Sequence, residues 1–338
     1  MPLPPSRGPL SAKLLDVFMG LPAVADFREE AQRVAVNTEP AEVLRSEDIQ
    51  LTLTLLYELH LQGLSGVSDD WEWDLDLLAA RTALEQPFER GLRDIVTPPT
   101  CSRGDVEATL WELAAADNGP ALSKYMAHEA TLEQFRELLA HRSLYQLREA
   151  DVHTLGIPRL SGAPKAALVE VQEDEYGGGR PERMHSALFA QTLRVVGMDD
   201  GYAQYLTVVP ALTLASLNAL SLFGLHRRCL GELVGHLCAV ETTSSGPSKL
   251  YSSGLRRLGF GRAATLFFDE HVEADSVHEQ IAVRDLAGGL IRQHPDRAEG
   301  VLFGAAASLA LDALVADHMM SCWAAGRSSL RSTGGLVE

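Results

Sequence analysis

The sequence predicts an all-α protein, and three observations support this prediction. Apolar residues recur at intervals of three and four through most of the 338-residue chain, while strand-like alternation of β-branched and polar residues is nearly absent. A composition of 46% hydrophobic and 22% charged residues is typical of a globular protein rather than a disordered chain. Short clusters of glycine, proline and serine separate the periodic segments. We therefore expect a bundle of antiparallel helices with short connections.

The N-terminal third is predicted to form helices over residues 11–37, 40–65 and 75–95. Pro40 suits the first turn of the second helix. The segment 96–105 is rich in helix breakers and is the best candidate for a domain boundary. We expect residues 1–104 to be an N-terminal helical extension. Its tryptophans fit a homodimer interface and simple internal packing equally well.

Beyond this boundary the pattern predicts a helical core over residues 105–328, followed by a flexible tail over 329–338. Glycine and proline clusters divide the core at 156–158, 177–179, 244–247 and 294–295. The predicted core helices cover residues 105–116, 120–154, 163–176, 181–197, 201–208, 210–225, 227–243, 247–258, 261–293 and 296–325.

Charge and cysteine content exclude several classes of function. A formal net charge of -17 without any run of lysine or arginine argues against a nucleic-acid partner. The four cysteines lack a CxxC spacing, and the N-terminus lacks the apolar core of a secretory signal. Residues 205–225 carry no charge, but Pro210 and several hydroxyl side chains favour a buried core helix over a membrane span. We expect a cytoplasmic protein without a membrane partner.

The strongest local signal for chemistry is the spacing of His271, Asp275 and His278. At positions i, i+4 and i+7 of a helix, the three side chains lie within about 60° on one face. Two imidazoles and a carboxylate suit Fe(II), because they leave coordination positions open for O₂ and substrate. Neighbouring acidic residues make a solvated polar face an equally good interpretation of this segment taken alone.

A second candidate pair, Glu175 and His185, flanks the sequence Gly177-Gly178-Gly179. On an unbroken helix these two residues could not reach one metal site, since they are ten positions apart. Three glycines followed by Pro181 prevent regular helix, so both side chains can converge. Glu149, taken by itself, looks like an ordinary solvated carboxylate.

In this order and spacing, the six residues resemble the ligand set of the haem-oxygenase-like diiron oxidases and oxygenases, most closely their N-oxygenating members. The resemblance covers roughly residues 120–325 and implies a haem-oxygenase-like helical bundle that binds two Fe(II)/Fe(III) ions and no haem. It further implies that Glu149 ligates one iron, that Glu175 bridges or completes the pair and that His185 caps one metal. The remaining side would be held by His271, Asp275 and His278.

The resemblance also implies a function. O₂ would be activated through a peroxo-diiron species to N-oxygenate a small amine-containing metabolite in specialised biosynthesis, with electrons from a reductase or a chemical reductant. Oxidative C–C cleavage of an amino acid or fatty acid is the alternative within the family, and a non-catalytic helical partner protein is the alternative outside it.

Other polar residues are predicted to lie outside the ligand set. Glu241 has at most a supporting role, and an ion pair with Arg256 explains it equally well. His226, His236 and His318 are expected to be capping, surface or core residues.

Overall fold

The computed structural model describes residues 1–21, 24–97, 99, 105–116 and 119–332, without the side chains of 273–276. Within these residues all regular structure is helical, so the all-α prediction is confirmed. The helices are α1 (Pro9–Phe18), α2 (Val24–Asn37), α3 (Pro40–Val43), α4 (Glu47–Glu58), α5 (Leu75–Asp94), α6 (Val106–Ala115), α7 (Leu122–His128), α8 (Leu132–Gln146), α9 (Asp151–Thr154), α10 (Gly162–Glu175), α11 (His185–Val195), α12 (Ala211–Leu225), α13 (Leu230–Thr243), α14 (Ser245–Arg257), α15 (Arg262–Gln280), α16 (Gly288–Gln293) and α17 (Ala298–Ala324).

The chain divides into two compact units. The first comprises residues 1–96, 203–222 and the C-terminal end from 330, and the second comprises 97–202 and 223–329. Buried polar contacts join the segment 203–222 to α4. Asn218 donates to the backbone carbonyl of Gln50 (2.9 Å) and accepts from the hydroxyl of Thr54 (3.0 Å). The limits of the functional domains, and a role of the N-terminal extension in dimerisation, stay predictions.

Several predicted helices of the first unit are shorter in the structure. The helix predicted over 11–37 is split into α1 and α2, because Gly20 adopts a left-handed conformation (φ 76°) after α1. The helix predicted over 40–65 is interrupted before α4, where the Ser46 hydroxyl caps the backbone N–H of Ile49. Residues 201–208 form turns instead of the predicted helix, with Ala203 at φ 62°.

Two predicted helices of the second unit are also interrupted in the structure. The segment 120–154 contains α7, α8 and α9, because Thr131 and Gln134 form a capping box at the start of α8 and Ala150 takes φ 75° after it. The segment 261–293 contains α15, a π-helical stretch (Ile281–Ala287) and α16. Such π-helical stretches are rare and occur often at functional sites.

Two apolar clusters stabilise the second unit. One is centred on α10, α13 and α17, with Val171, Leu237 and Val301 inside it. The other joins α8, α11 and α15 through residues such as Phe135 and Phe267. Packing in one or the other of these clusters thus fixes the helices that carry the predicted ligands.

Close contact between α13 and α17 depends on glycine. A Cβ atom added to Gly235 would lie 1.9 Å from the carbonyl oxygen of Val301, and one added to Gly304 would lie 2.1 Å from that of Glu232. These distances allow no side chain, so the two helix backbones touch directly.

One described helical segment, Pro295–Ala324, is long and apolar enough to cross a membrane, and half of its apolar window is buried inside the fold. Core helices of soluble proteins show the same length and composition. The stretch that the sequence singled out forms the shorter α12, and the absence of a membrane partner stays a prediction.

The predicted tail is fixed at its start. Ser329 is buried, and its backbone N–H donates to the Glu137 carboxylate at 2.7 Å. The remainder of this prediction, residues 333–338, lies outside the described residues.

Candidate metal centre

The predicted ligands come from the ends and interior faces of four helical segments of the second unit. Glu149 follows α8, Glu175 ends α10 and His185 begins α11. His271 and His278 lie on α15, and all five of these side chains are buried. Buried ionisable groups are rare unless they are paired or bind metals, so their convergence needs a chemical explanation.

Glu149 is presented by a strained turn. Ala150 adopts φ 75°, a conformation that costs a residue with a Cβ atom about 1–2 kcal/mol. The side-chain amide of Gln172 on α10 donates to the Ala150 carbonyl oxygen at 2.8 Å and supports this turn. Backbone strain of this kind persists where the surrounding structure enforces it, which is common at active sites.

The glycine segment produces the convergence that the sequence predicted. Gly177, Gly178 and Gly179 have φ values of 65°, 61° and 74°, so the chain turns sharply after α10. As a result the Nδ1 atom of His185 lies 3.0 Å from the Oε2 atom of Glu175.

The first group of ligand atoms comes from Glu149, His185 and His271, whose atoms lie within 4.8 Å of one another. The Nε2 atom of His271 is 3.7 Å from a Glu149 carboxylate oxygen, and the rings of His271 and His185 are 4.5 Å apart. The Nδ1 atom of His271 donates to the Phe267 carbonyl oxygen at 2.7 Å. This bond leaves Nε2 as the atom that can bind a metal.

The second group consists of Glu175, Glu241 and His278, again within 4.8 Å. The Nδ1 atom of His278 is 3.5 Å from a Glu241 carboxylate oxygen. On the other side of the ring, Nε2 is 2.9 Å from a carboxylate oxygen of Asp174. Because Glu175 also contacts His185, its carboxylate lies between the two groups.

Both groups fit metal ions. The Oε2 atom of Glu175 and the Nδ1 atoms of His185 and His278 are buried without a well-aligned hydrogen bond among the described residues, although the first two atoms lie 3.0 Å apart. Buried polar atoms are nearly always satisfied, so these three indicate a missing partner that accepts electron pairs. Imidazole nitrogen and carboxylate oxygen are the donors that non-haem iron prefers.

The electrostatics of the site depend on these contacts. Burial lowers the pKa of His185, but the Glu175 carboxylate outweighs burial and raises it above its usual range. Burial likewise opposes the charge on His278, yet Glu241 and Asp174 raise its pKa to about 9. Since histidine must lose a proton to bind a metal, metal binding is expected to weaken in acid.

A cavity lies next to both groups. Its walls include Glu149, Glu175, Glu241 and His271, together with four polar side chains and three apolar ones. The polar ones are Tyr145, His153, Gln172 and Ser244, and the apolar ones are Ala150, Leu237 and Val240.

Burial and neighbouring carboxylates raise the pKa of Tyr145 well above its usual range, so its phenol keeps its proton. Burial also holds the pKa of His153 well below its usual value, and His153 Nε2 lies 3.1 Å from Nδ1 of His236. The four polar side chains named above, apart from the carboxylates and His271, are therefore neutral at pH 7.

The structure groups the ligands differently from the expectation that His271 and His278 serve the same side. Seven residues of helix separate them by roughly 10 Å along the axis, too far for one metal. Accordingly His271 falls in the first group and His278 in the second. The side chain of Asp275 lies outside the described residues, so its predicted role is untested.

Glu241 is the residue that sequence reasoning undervalued. It does not pair with Arg256, whose guanidinium contacts Asp269 at 2.7 Å instead. A signal was present, because Glu241 continues the buried stripe of Val234, Leu237 and Cys238 at i, i+3, i+4 and i+7.

Comparison with known proteins agrees with this geometry. Residues 136–313, slightly more than half of the chain, match the profile of the iron-containing redox enzymes. This chain belongs to that family. The matched region contains all six predicted ligands and Glu241.

Two individual proteins are also similar to this chain. A nitrosourea synthase from Streptomyces achromogenes subsp. streptozoticus is 26% identical over 135 residues, which are 40% of this chain and 29% of that protein. The match therefore spans less than a third of the curated relative. A CADD-like protein of unknown function from Nostoc punctiforme PCC 73102 matches with a TM-score of 0.51 at 17% identity, covering 63% of this chain and 94% of the other. This second likeness supports the haem-oxygenase-like fold.

Proposed function

We propose that this enzyme is a two-iron oxygenase that N-oxygenates a small amine-containing metabolite. The observation that carries the proposal is the pair of adjacent histidine–carboxylate groups beside one cavity. One iron would be held by Glu149, His185 and His271. The other would be held by Glu175, Glu241 and His278, with Asp275 as a further predicted ligand.

The charges of the site balance in this arrangement. Two Fe(II) ions carry four positive charges, and the carboxylates of Glu149, Glu175 and Glu241 return three negative ones. Asp275, if it binds as predicted, supplies the fourth. When bound, the irons supply the electrons and the binding position that O₂ reduction requires.

The lining of this small cavity suits a polar nitrogen group better than a fatty acid chain. Leu237 and Val240 are its only large aliphatic walls among the described residues. The Oε1 atom of Gln172 is buried without a hydrogen-bond partner there, so it can accept a hydrogen bond from a substrate N–H. Tyr145 keeps its proton as a neutral phenol, so its hydroxyl can donate a hydrogen bond within the cavity.

The similarity to a nitrosourea synthase supports chemistry at nitrogen, since a nitrosourea carries oxygen on nitrogen. In the simplest step, an amine R–NH₂ reacts with O₂, two electrons and two protons to give R–NHOH and water. The two electrons come from an external reductase or a chemical reductant. The enzyme is expected to work in the cytoplasm, and as a homodimer whose interface includes the exposed Trp73 and Leu75 of the N-terminal extension.

The test is a screen of small amines and guanidines with iron-loaded protein, reductant and ¹⁸O₂, followed by mass spectrometry. We expect a product that contains one ¹⁸O atom on nitrogen and is absent with His271→Ala. Loss of carbon from an amino acid or fatty acid, without N-oxygenation, would instead establish the C–C cleavage alternative. If iron-loaded protein consumed no O₂ with any substrate, the oxygenase proposal would be wrong.

A further inference from the structure

Asp174 is an exposed residue that reaches the buried metal centre from outside. It lies in the last turn of α10, and 64% of its side chain is exposed. Its Oδ2 atom is nevertheless 2.9 Å from the Nε2 atom of His278 on α15, whose own side chain is only 1% exposed. The hydrogen bond therefore joins the surface of one ligand-bearing helix to the interior of another.

The opposite nitrogen of His278 points to the candidate metal position. Nδ1 lies 3.5 Å from the Glu241 carboxylate and has no hydrogen-bond partner among the described residues. A neutral imidazole carries one N–H, and an ionised carboxylate can only accept. When His278 is neutral, as metal binding requires, a proton held on Nε2 by Asp174 leaves the Nδ1 lone pair facing Glu175 and Glu241.

We propose that Asp174 is a positioning residue that fixes the tautomer and the ring orientation of His278 for the metal held by Glu175, Glu241 and His278. This inference rests on the proposed two-metal function. Carboxylates that orient metal-binding histidines in this way commonly contribute about 10–100-fold to metal affinity.

The position of Asp174 indicates which metal's affinity depends on this contact. Asp174 and Glu175 are consecutive, and the Asp174 side chain is exposed while that of Glu175 is buried. The bond to His278 therefore links the last turn of α10 to α15. The three glycines that follow this turn do not restrict its conformation in the same way. In the other group, His271 is oriented by the Phe267 carbonyl of its own helix rather than by a side chain of α10.

The inference predicts a selective loss. With Asp174→Ala, the affinity of one metal should fall by about 10–100-fold while the other metal binds as in wild type. In Asp174→Asn the affinity for that metal should lie between those of Asp174→Ala and wild type, because an amide oxygen still accepts from Nε2–H but carries no charge. Glu173→Gln is the matched control, since it removes one exposed negative charge from the preceding residue of the same helix.

The experiment is an anaerobic titration of the full chain with Co(II), followed by visible absorption and calorimetry, together with a thermal unfolding scan of each variant. Two wild-type binding events, one of them weakened only in the Asp174 variants, support the inference. Unchanged binding in Asp174→Ala, an equal effect of Glu173→Gln, or equal weakening of both events with a lower melting temperature overturns it. A wild type that binds fewer than two metals refutes the proposed function itself, and with it the site that Asp174 serves.

Discussion

The buried pair of His153 and His236 should make the metal-free protein sensitive to mild acid. Burial lowers the pKa of His236 from 6.5 to about 4, and its Nδ1 atom lies 3.1 Å from Nε2 of His153. Between pH 4 and pH 6.5 the unfolded chain therefore binds a proton at His236 that the folded protein does not bind. The free energy of unfolding must therefore decrease as the pH falls through this range, and it is unaffected by His236 above it.

The magnitude follows from the change in pKa. Each pH unit through which only the unfolded chain is protonated costs about 1.4 kcal/mol, so His236 contributes about 3 kcal/mol between pH 6.5 and pH 4. Replacement by asparagine keeps an acceptor near the position of Nδ1 but removes the titration. The stability of wild type relative to His236→Asn should therefore fall by about 2 kcal/mol between pH 7.5 and pH 5.

Urea unfolding in the presence of a chelator, at a series of pH values, measures this difference directly. The comparison with the variant cancels the other titrating groups, including the histidines of the metal centre. A difference that stays constant from pH 7.5 to pH 5 would show that His236 is not held neutral by burial.

Three further changes test the local structure. Ala150→Gly should raise the free energy of unfolding by about 1 kcal/mol in urea, because φ 75° disfavours alanine; lower stability would contradict the strained turn. Gly235→Ala should lower it by about 2–3 kcal/mol, since the new Cβ would lie 1.9 Å from the Val301 carbonyl oxygen, whereas Gly246→Ala, with nothing within 4 Å, is the control that should show no such loss. Gln172→Met should lower kcat/KM for the amine by about tenfold, because one substrate hydrogen bond is lost, and it should also lower iron content, because the donor to the Ala150 carbonyl that supports the Glu149 turn is lost; unaltered kinetics would exclude Gln172 from substrate binding.

The sequence predicted the features of the site that depend on local chemistry. Gly177, Gly178 and Gly179 exclude regular helix, so the approach of Glu175 to His185 could be foreseen from the residues between them. The spacing of His271 and His278 placed both on one helix face, as found in α15.

The remaining features depend on contacts between distant segments. Ala150 disfavours the left-handed conformation that it adopts, so nothing local marks the turn that presents Glu149. Glu241 is one acid in an apolar helix, and only the packing of α13 near α15 shows that it contacts His278. The contacts of 203–222 with α4 likewise involve partners that periodicity does not identify.

The most direct test of the two-metal centre is an iron count after anaerobic loading with Fe(II) and removal of excess metal. We predict two irons per chain in wild type, with one lost in His271→Ala and one in His278→Ala, since these histidines belong to different groups. Glu173→Gln should retain both. One iron or none in wild type, or two irons in both histidine variants, would contradict the account.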